Sequence, residues 1–153
     1  MRAPRRMCCA AATGGALLVA GGFGAAGEAT ASAEIYVPLV GWSDAPSMLA
    51  PRAAAACAAL GPDVYVAGGV GVHDRVDTAE YYDAARGAWV ALPPMPSPRS
   101  HCGGAAIAGA FYVVGGIEAG GPATTYLRFD GGRWSVHDAP SFGECAACAA
   151  TPF

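Results

Sequence analysis

The residues of this chain with the most chemistry to offer are six cysteines, three histidines and nine arginines. Cys145-Ala146-Ala147-Cys148 has the C-x-x-C spacing of thiol redox centres and of half a zinc site. A zinc site needs a second pair at a matching distance, and Cys8-Cys9 has the wrong spacing. The run also lies among alanines in an expected strand, so packing is the reading preferred for it. Cys57 and Cys102 fall in similar apolar runs, where free thiols act as small hydrophobes. Six cysteines would suffice for three disulfides in an oxidising compartment, but their spacing does not look like a disulfide framework. His73 stands beside Asp74 in a polar loop, His101 opens an apolar run, and His137 lies in the last connector. No two are at metal-ligand spacing. Cys102 next to His101 in a strand would point to the opposite face. The paired glycines are not a phosphate loop, because G-x-x-x-x-G-K-[ST] is absent and the chain has no lysine. The expectation is therefore no enzyme, no metal and no cofactor.

Composition sets the frame for these residues. A 54% hydrophobic and 14% charged chain can bury a core, but much of the apolar share is alanine, so the core is thin. Twenty-two glycines and twelve prolines without a collagen period call for many turns and few long helices. A net charge of −3 argues against a nucleic-acid partner held through phosphates. No stretch has the hydrophobicity of a membrane-spanning helix, since glycine and alanine supply too little. Residues 1–33 admit two readings. Three arginines, an apolar stretch and Ala31-Ser32-Ala33 outline a cleaved secretory leader. Five glycines interrupt that stretch, however, and the segment fits an internal repeat. The second reading is preferred, with a cytoplasmic protein as its corollary and a secreted one as the alternative.

The repeat is the strongest signal. Trp42, Trp89 and Trp134 are 47 and 45 residues apart. Gly21-Gly22, Gly68-Gly69 and Gly115-Gly116 recur at intervals of 47, as do Arg52 and Arg99, and Tyr82-Asp83 is matched by Phe129-Asp130. Each copy runs through a Pro/Met-rich connector, a small-residue run, a turn, a β-branched and aromatic strand ending in Gly-Gly, a polar loop, a third strand, and a short turn to the next tryptophan. Four short strands per copy at 8–12-residue spacing write an all-β propeller blade. Glycine pairs allow close backbone approach, and each tryptophan anchors one blade on the next.

These residues carry a resemblance. Val64-Tyr65-Val66-Ala67-Gly68-Gly69, Tyr82-Asp83, Trp89, Met95-Pro96, Pro98-Arg99 and Phe111 to Gly116 look like the kelch motif. The connector 92–99 is similar to the kelch portion of adaptor proteins, cellular or viral, that carry a BTB domain elsewhere. The resemblance implies four-stranded antiparallel blades, about three here, as an incomplete or oligomer-completed propeller. The expected organisation is an N-terminal segment 1–16 without fixed structure, a partial blade 17–43, and repeats 44–90 and 91–135. A connector and first strand over 136–153 would close the N-terminal blade. It also implies protein recognition as the function, with a ubiquitin-ligase client or a viral host target as the kind of partner. A secreted kelch-type enzyme or carbohydrate-binding module and a non-functional fragment are the alternatives. Arg52 and Arg99 recur in register, as a structural role in each blade would require. With Arg75, His101 and Glu118 they are also the expected partner-binding residues, His101 at a position that faces the ligand mouth in kelch adaptors. The structural set is Gly21, Gly22, Trp42, Gly68, Gly69, Tyr82, Trp89, Gly115, Gly116 and Trp134. The expected partners are proteins, including a second copy that completes a propeller, with no nucleic acid and no membrane.

Overall fold

A computed structural model describes residues 1–139. Among them there is no helix, and hence none long and apolar enough to cross a membrane. Three antiparallel four-stranded sheets follow one another along the chain. The first blade is β1 (Cys9–Thr13), β2 (Ala16–Ala20), β3 (Ala33–Val37) and β4 (Gly41–Ala45). The second is β5 (Ala56–Leu60), β6 (Asp63–Ala67), β7 (Ala79–Asp83) and β8 (Ala88–Leu92). The third is β9 (Gly103–Ile107), β10 (Ala110–Val114), β13 (Thr125–Asp130) and β14 (Arg133–Asp138), with a small hairpin, β11 (Ile117–Glu118) and β12 (Gly121–Pro122), between its second and third strands. Each sheet is a meander in chain order, because two- to four-residue turns join its strands except at the longer loop after the second.

The first blade is more complete than the sequence suggests. Residues 1–16 are not a loose segment: β1 pairs along its length with β2, from Cys9 with Ala20 to Thr13 with Ala16. The first-strand position is thus filled from the N-terminal side. The expected closing strand over 136–153 lies largely outside the described residues, as do Glu144, Cys145 and Cys148. Repeats 44–90 and 91–135 each hold one sheet, except that their last strands run on to Leu92 and Asp138. Segments once readable as a leader supply β1, β2 and the start of β3, so a cut before Glu34 would remove half of a sheet.

Blades stack through two apolar clusters. Between the first and second lie Cys9, Ala11, Leu18 and Ala20 from one sheet and Val64, Val66 and Trp89 from the next, closed by Met48 from the connector. Between the second and third lie Ala56, Ala67 and Ala79 against Phe111, Val113, Leu127 and Phe129, closed by Met95. Alternation along each strand therefore serves two joints: in β5, Cys57 and Ala59 face the first blade while Ala56, Ala58 and Leu60 face the third. The aromatic pairs Tyr82–Trp89 and Phe129–Trp134 each lean on the preceding blade. Trp89 Nε1 donates to Pro46 O and Trp134 Nε1 to Pro93 O, both at 2.8 Å, which ties each indole to the preceding connector.

Candidate functional site

All connectors and all loops after second strands emerge at one end of the blades, while the tight turns sit at the other. This loop face is organised by an arginine in each blade. Arg52 is 1% exposed. Its Nη1 donates to Gly68 O and Thr78 O, both at 2.8 Å, and its Nη2 to Thr78 Oγ1 at 3.1 Å and Glu80 Oε1 at 2.8 Å. Arg99, equally buried, donates to Gly115 O, Thr125 O and Thr125 Oγ1, and pairs with Glu118. Arg5 does the same in the first blade, donating to Gly21 O and Ser32 O at 2.9 Å and to Glu34 Oε1 at 2.8 Å. Arg52 and Arg99 are thus not presented to a partner: their guanidinium groups bind the loop after the second strand to the connector. Arg5, Glu34 and Glu80 belong to this set and were missing from the sequence-derived site. The signal was present in Pro4-Arg5, which stands 47 residues before Pro51-Arg52 and 94 before Pro98-Arg99.

The glycine pairs complete the link between blades. The second glycine donates to the arginine carbonyl of the next connector, Gly22 N to Arg52 O and Gly69 N to Arg99 O at 2.9 Å. A Cβ at Gly21 would sit 2.3 Å from Arg52 O, and one at Gly68 2.4 Å from Arg99 O, so no other residue allows this approach. The same arginine therefore accepts from one blade through its carbonyl and donates to the next through its guanidinium. Two residues further on, Met7, Ala54 and His101 all take left-handed backbone conformations (φ 54°, 53° and 57°), at intervals of 47. Ala54 N donates to Met7 O and His101 N to Ala54 O, at 2.8 and 2.7 Å, forming a belt from blade to blade. That belt accounts for the local strain. His101 accordingly precedes β9 rather than lying in a strand with Cys102. It is half-buried, with Nδ1 3.1 Å from Ser100 Oγ.

Electrostatics separates the blades. Burial alone would raise the Glu34 carboxyl, but the Arg2 and Ala3 N–H groups and the Arg5 guanidinium outweigh it and hold it below the usual carboxylate range. Glu80 receives the Leu49 N–H at 2.7 Å in the same way that Glu34 receives Arg2 N–H. The third blade differs at both ends of this bond. Leu127 occupies the register position of Glu80, opposite Val113 as Glu80 is opposite Val66. Pro96, with no N–H, occupies that of Leu49. Glu118, carried on the β11–β12 hairpin and with its side chain 31% exposed, takes over as the partner of Arg99 and also accepts from Ser97 Oγ at 2.7 Å.

The exposed parts of this face are the loops. A cavity of about 250 Å³ opens between the connectors flanking the second blade, lined by Leu49, Ala79, Leu92 and Pro94 above the buried Arg52 and Glu80. Leu49 is 60% and Val72 67% exposed, on the connector and on the neighbouring loop. Those two segments are tied by reciprocal bonds between Ala53 and Val70. Arg75 lies half-buried in the same loop and His73 is exposed. Among the described residues no group of three or more His, Cys, Asp or Glu side chains is placed to hold a metal ion.

Comparison with curated proteins returned no match. Among solved structures, the chain is similar to YjhT, with a TM-score of 0.80 at 17% identity, a likeness of fold alone. The match covers 95% of this chain and 55% of that one, so the chain spans little more than half the length of its structural neighbour. The family model for the Kelch motif matches residues 4–49 and 51–96, two frames that begin around Pro4-Arg5 and Pro51-Arg52 and end past the fourth strands. Residues beyond 96, which include Leu127 in the place of the buried glutamate, fall outside the match. With well over half of the chain matched, and with blades, glycine pairs and tryptophans in the same order, the protein belongs to the kelch-repeat β-propeller family.

Proposed function

We propose that this chain is a protein-recognition scaffold whose binding surface is the loop face over the second blade. The observation that carries the proposal is the apolar cavity beside exposed Leu49, with exposed Val72 on the neighbouring loop, on segments braced from beneath by the Arg52 network. Exposed apolar side chains on rigidly held loops favour a protein partner, because they offer area for burial at little ordering cost. Leu49 and Val72 can be changed without touching the scaffold, since Leu49 serves Glu80 only through its backbone N–H. The test is a quantitative pull-down with the parent chain and a Leu49→Asp/Val72→Asp double variant that melts at the parent's temperature. A protein retained by the parent and lost from the variant supports the proposal; nothing above background on the folded parent refutes it.

A second reading concerns the face of the first blade that lies away from the second. Tyr36 and Trp42 form the same aromatic pair as Tyr82–Trp89. Among the described residues, however, no carbonyl accepts from Trp42 Nε1, whereas Pro46 O and Pro93 O accept from Trp89 and Trp134. A second copy of the chain, presenting its third blade, would supply the same kind of surface that the second blade meets. Light scattering behind a sizing column decides this: twice the chain mass supports a paired propeller, and a monomer at high concentration removes it.

A further inference from the structure

Cys9 and Cys57 come from the innermost strands of neighbouring blades, β1 and β5, and both side chains enter the joint between those blades. Cys9 Sγ lies 3.8 Å from Ala55 O, and Cys57 Sγ lies 3.6 Å from Ala10 O, so each thiol reaches onto the opposite strand beside the other cysteine. The repeat does not require thiols here. One repeat further on, the equivalent positions are Ala56 and Gly104, at the joint between the second and third blades. There the strands approach so closely that a Cβ on Gly104 would meet the Cys57 backbone at 2.4 Å. The first joint therefore carries a cysteine on each strand where the second joint has alanine and glycine.

The two thiols are not equivalent. Cys9 is 5% exposed within the apolar cluster. Cys57 lines a cavity of about 280 Å³ between the first strands of the three blades, together with Ala10, Ala12, Ala59 and Gly104, which is ample room for a small oxidant. The neighbouring Cys9 thiol lowers the Cys57 thiol below its ordinary value, whereas the same proximity and burial raise Cys9. Cys57 is thus the member that ionises first and is reachable, and Cys9 is the thiol poised behind it. Cys102, by contrast, is pushed up to about 11 by burial and faces the other joint.

We propose that Cys9 and Cys57 form a redox dithiol that hydrogen peroxide closes into a disulfide bridging the first and second blades. The Cys57 thiolate attacks one peroxide oxygen and the O–O bond breaks. The departing hydroxide leaves as water after taking up a proton, and a sulfenic acid remains on Cys57. The Cys9 sulfur then attacks the Cys57 sulfur, the S–O bond breaks, and the hydroxyl leaves as a second water with the Cys9 proton. Two electrons pass from the sulfurs to peroxide, and two thiols plus one peroxide yield one disulfide and two waters.

The experiment is peroxide treatment of the folded chain, blocking of residual thiols, tryptic cleavage without reductant, and mass spectrometry. Cleavage at Arg6, Arg52, Arg75, Arg99 and Arg128 puts Cys57 alone in peptide 53–75, Cys8 and Cys9 in 7–52, and Cys102 in 100–128. The expected product is 7–52 joined to 53–75 within a monomer, two hydrogens lighter than the sum. It persists in Cys8→Ser and Cys102→Ser. It disappears in Cys9→Ala and Cys57→Ala, substitutions that place in these strands the residue Ala56 already uses, with folding checked by thermal melt. The proposal is overturned if 53–75 stays unlinked in oxidised parent protein, if it joins 100–128, if the link survives Cys9→Ala, or if it forms only between chains.

Discussion

Replacing Arg52 by methionine keeps most of the aliphatic length and removes every donor that braces the second blade. Gly68 O, Thr78 O and Thr78 Oγ1 lose their bonds, and Glu80, 1% exposed, is left as a buried carboxylate with only the Leu49 N–H. Removing one partner of a buried ion pair costs about 3–5 kcal/mol, because the remaining charge stays desolvated. At about 2–4 °C per kcal/mol for a chain of this size, the melting temperature should fall by roughly 6–20 °C. The companion Glu80→Leu adopts what the third blade already has in Leu127, but alone it strands the Arg52 charge and the Leu49 N–H, and it should cost a similar amount. The double variant removes both charges at once, and should be more stable than either single change by about 1–3 kcal/mol. Urea unfolding at fixed protein concentration, followed by tryptophan fluorescence and far-ultraviolet dichroism, measures all three variants. Arg52→Met within about 1 kcal/mol of the parent would refute a structural role for the buried arginine. A double variant as unstable as the sum of the singles would refute the pairing.

Three further outcomes follow from the same geometry. Gly68→Ala should cost about 3 kcal/mol or more in urea unfolding, since its Cβ meets Arg99 O at 2.4 Å, whereas Gly109→Ala, with open space around it and only a φ of 78° to resist, should cost about 1 kcal/mol. Ala54→Gly should be stabilising or neutral, within about 1 kcal/mol of the parent, because its φ of 53° suits glycine and the belt uses only backbone atoms. The Glu34 carboxyl is lowered on folding, so its contribution is present above its unfolded value near 4.5 and is lost as pH falls through the folded value. Urea midpoints taken from pH 6 down to 3 should therefore decline, and less steeply in Glu34→Gln.

The sequence displayed much of this architecture because a propeller spaces its structural residues evenly. The tryptophans, the glycine pairs and the Pro-Arg dipeptides mark positions where an anchor, a close approach and a buried cation recur in every blade. β1 was hidden for a physical reason: Cys9-Ala10-Ala11-Ala12-Thr13 is nearly all small residues, as an innermost strand must be where three strands converge, and carries only one β-branched residue. The same crowding made it resemble the apolar part of a leader. The recurrence of Arg52 and Arg99 left two roles open, because it fits a binding ring as well as a brace. Burial decides between them, and one-dimensional spacing does not report burial. The β11–β12 hairpin was not legible at all, since it occurs in one blade only.

The third blade shows how such a brace is rebuilt. Leu127 in place of the buried glutamate would leave Arg99 unpaired, and Pro96 removes the N–H that the glutamate would have accepted, so the two changes suit each other. The charge is then met from outside the sheet by Glu118, on a hairpin that the second blade lacks. Because the Glu118 side chain is 31% exposed, water screens part of its attraction to Arg99, while no such screening reaches Glu80 at 1%. Glu118→Gln should therefore cost about 1 kcal/mol and Glu80→Gln about 3 kcal/mol in urea unfolding, although both remove the same charge from the same kind of pair. Equal losses would mean that the hairpin shields its carboxylate as fully as a sheet does, and that the third blade is braced no differently from the others.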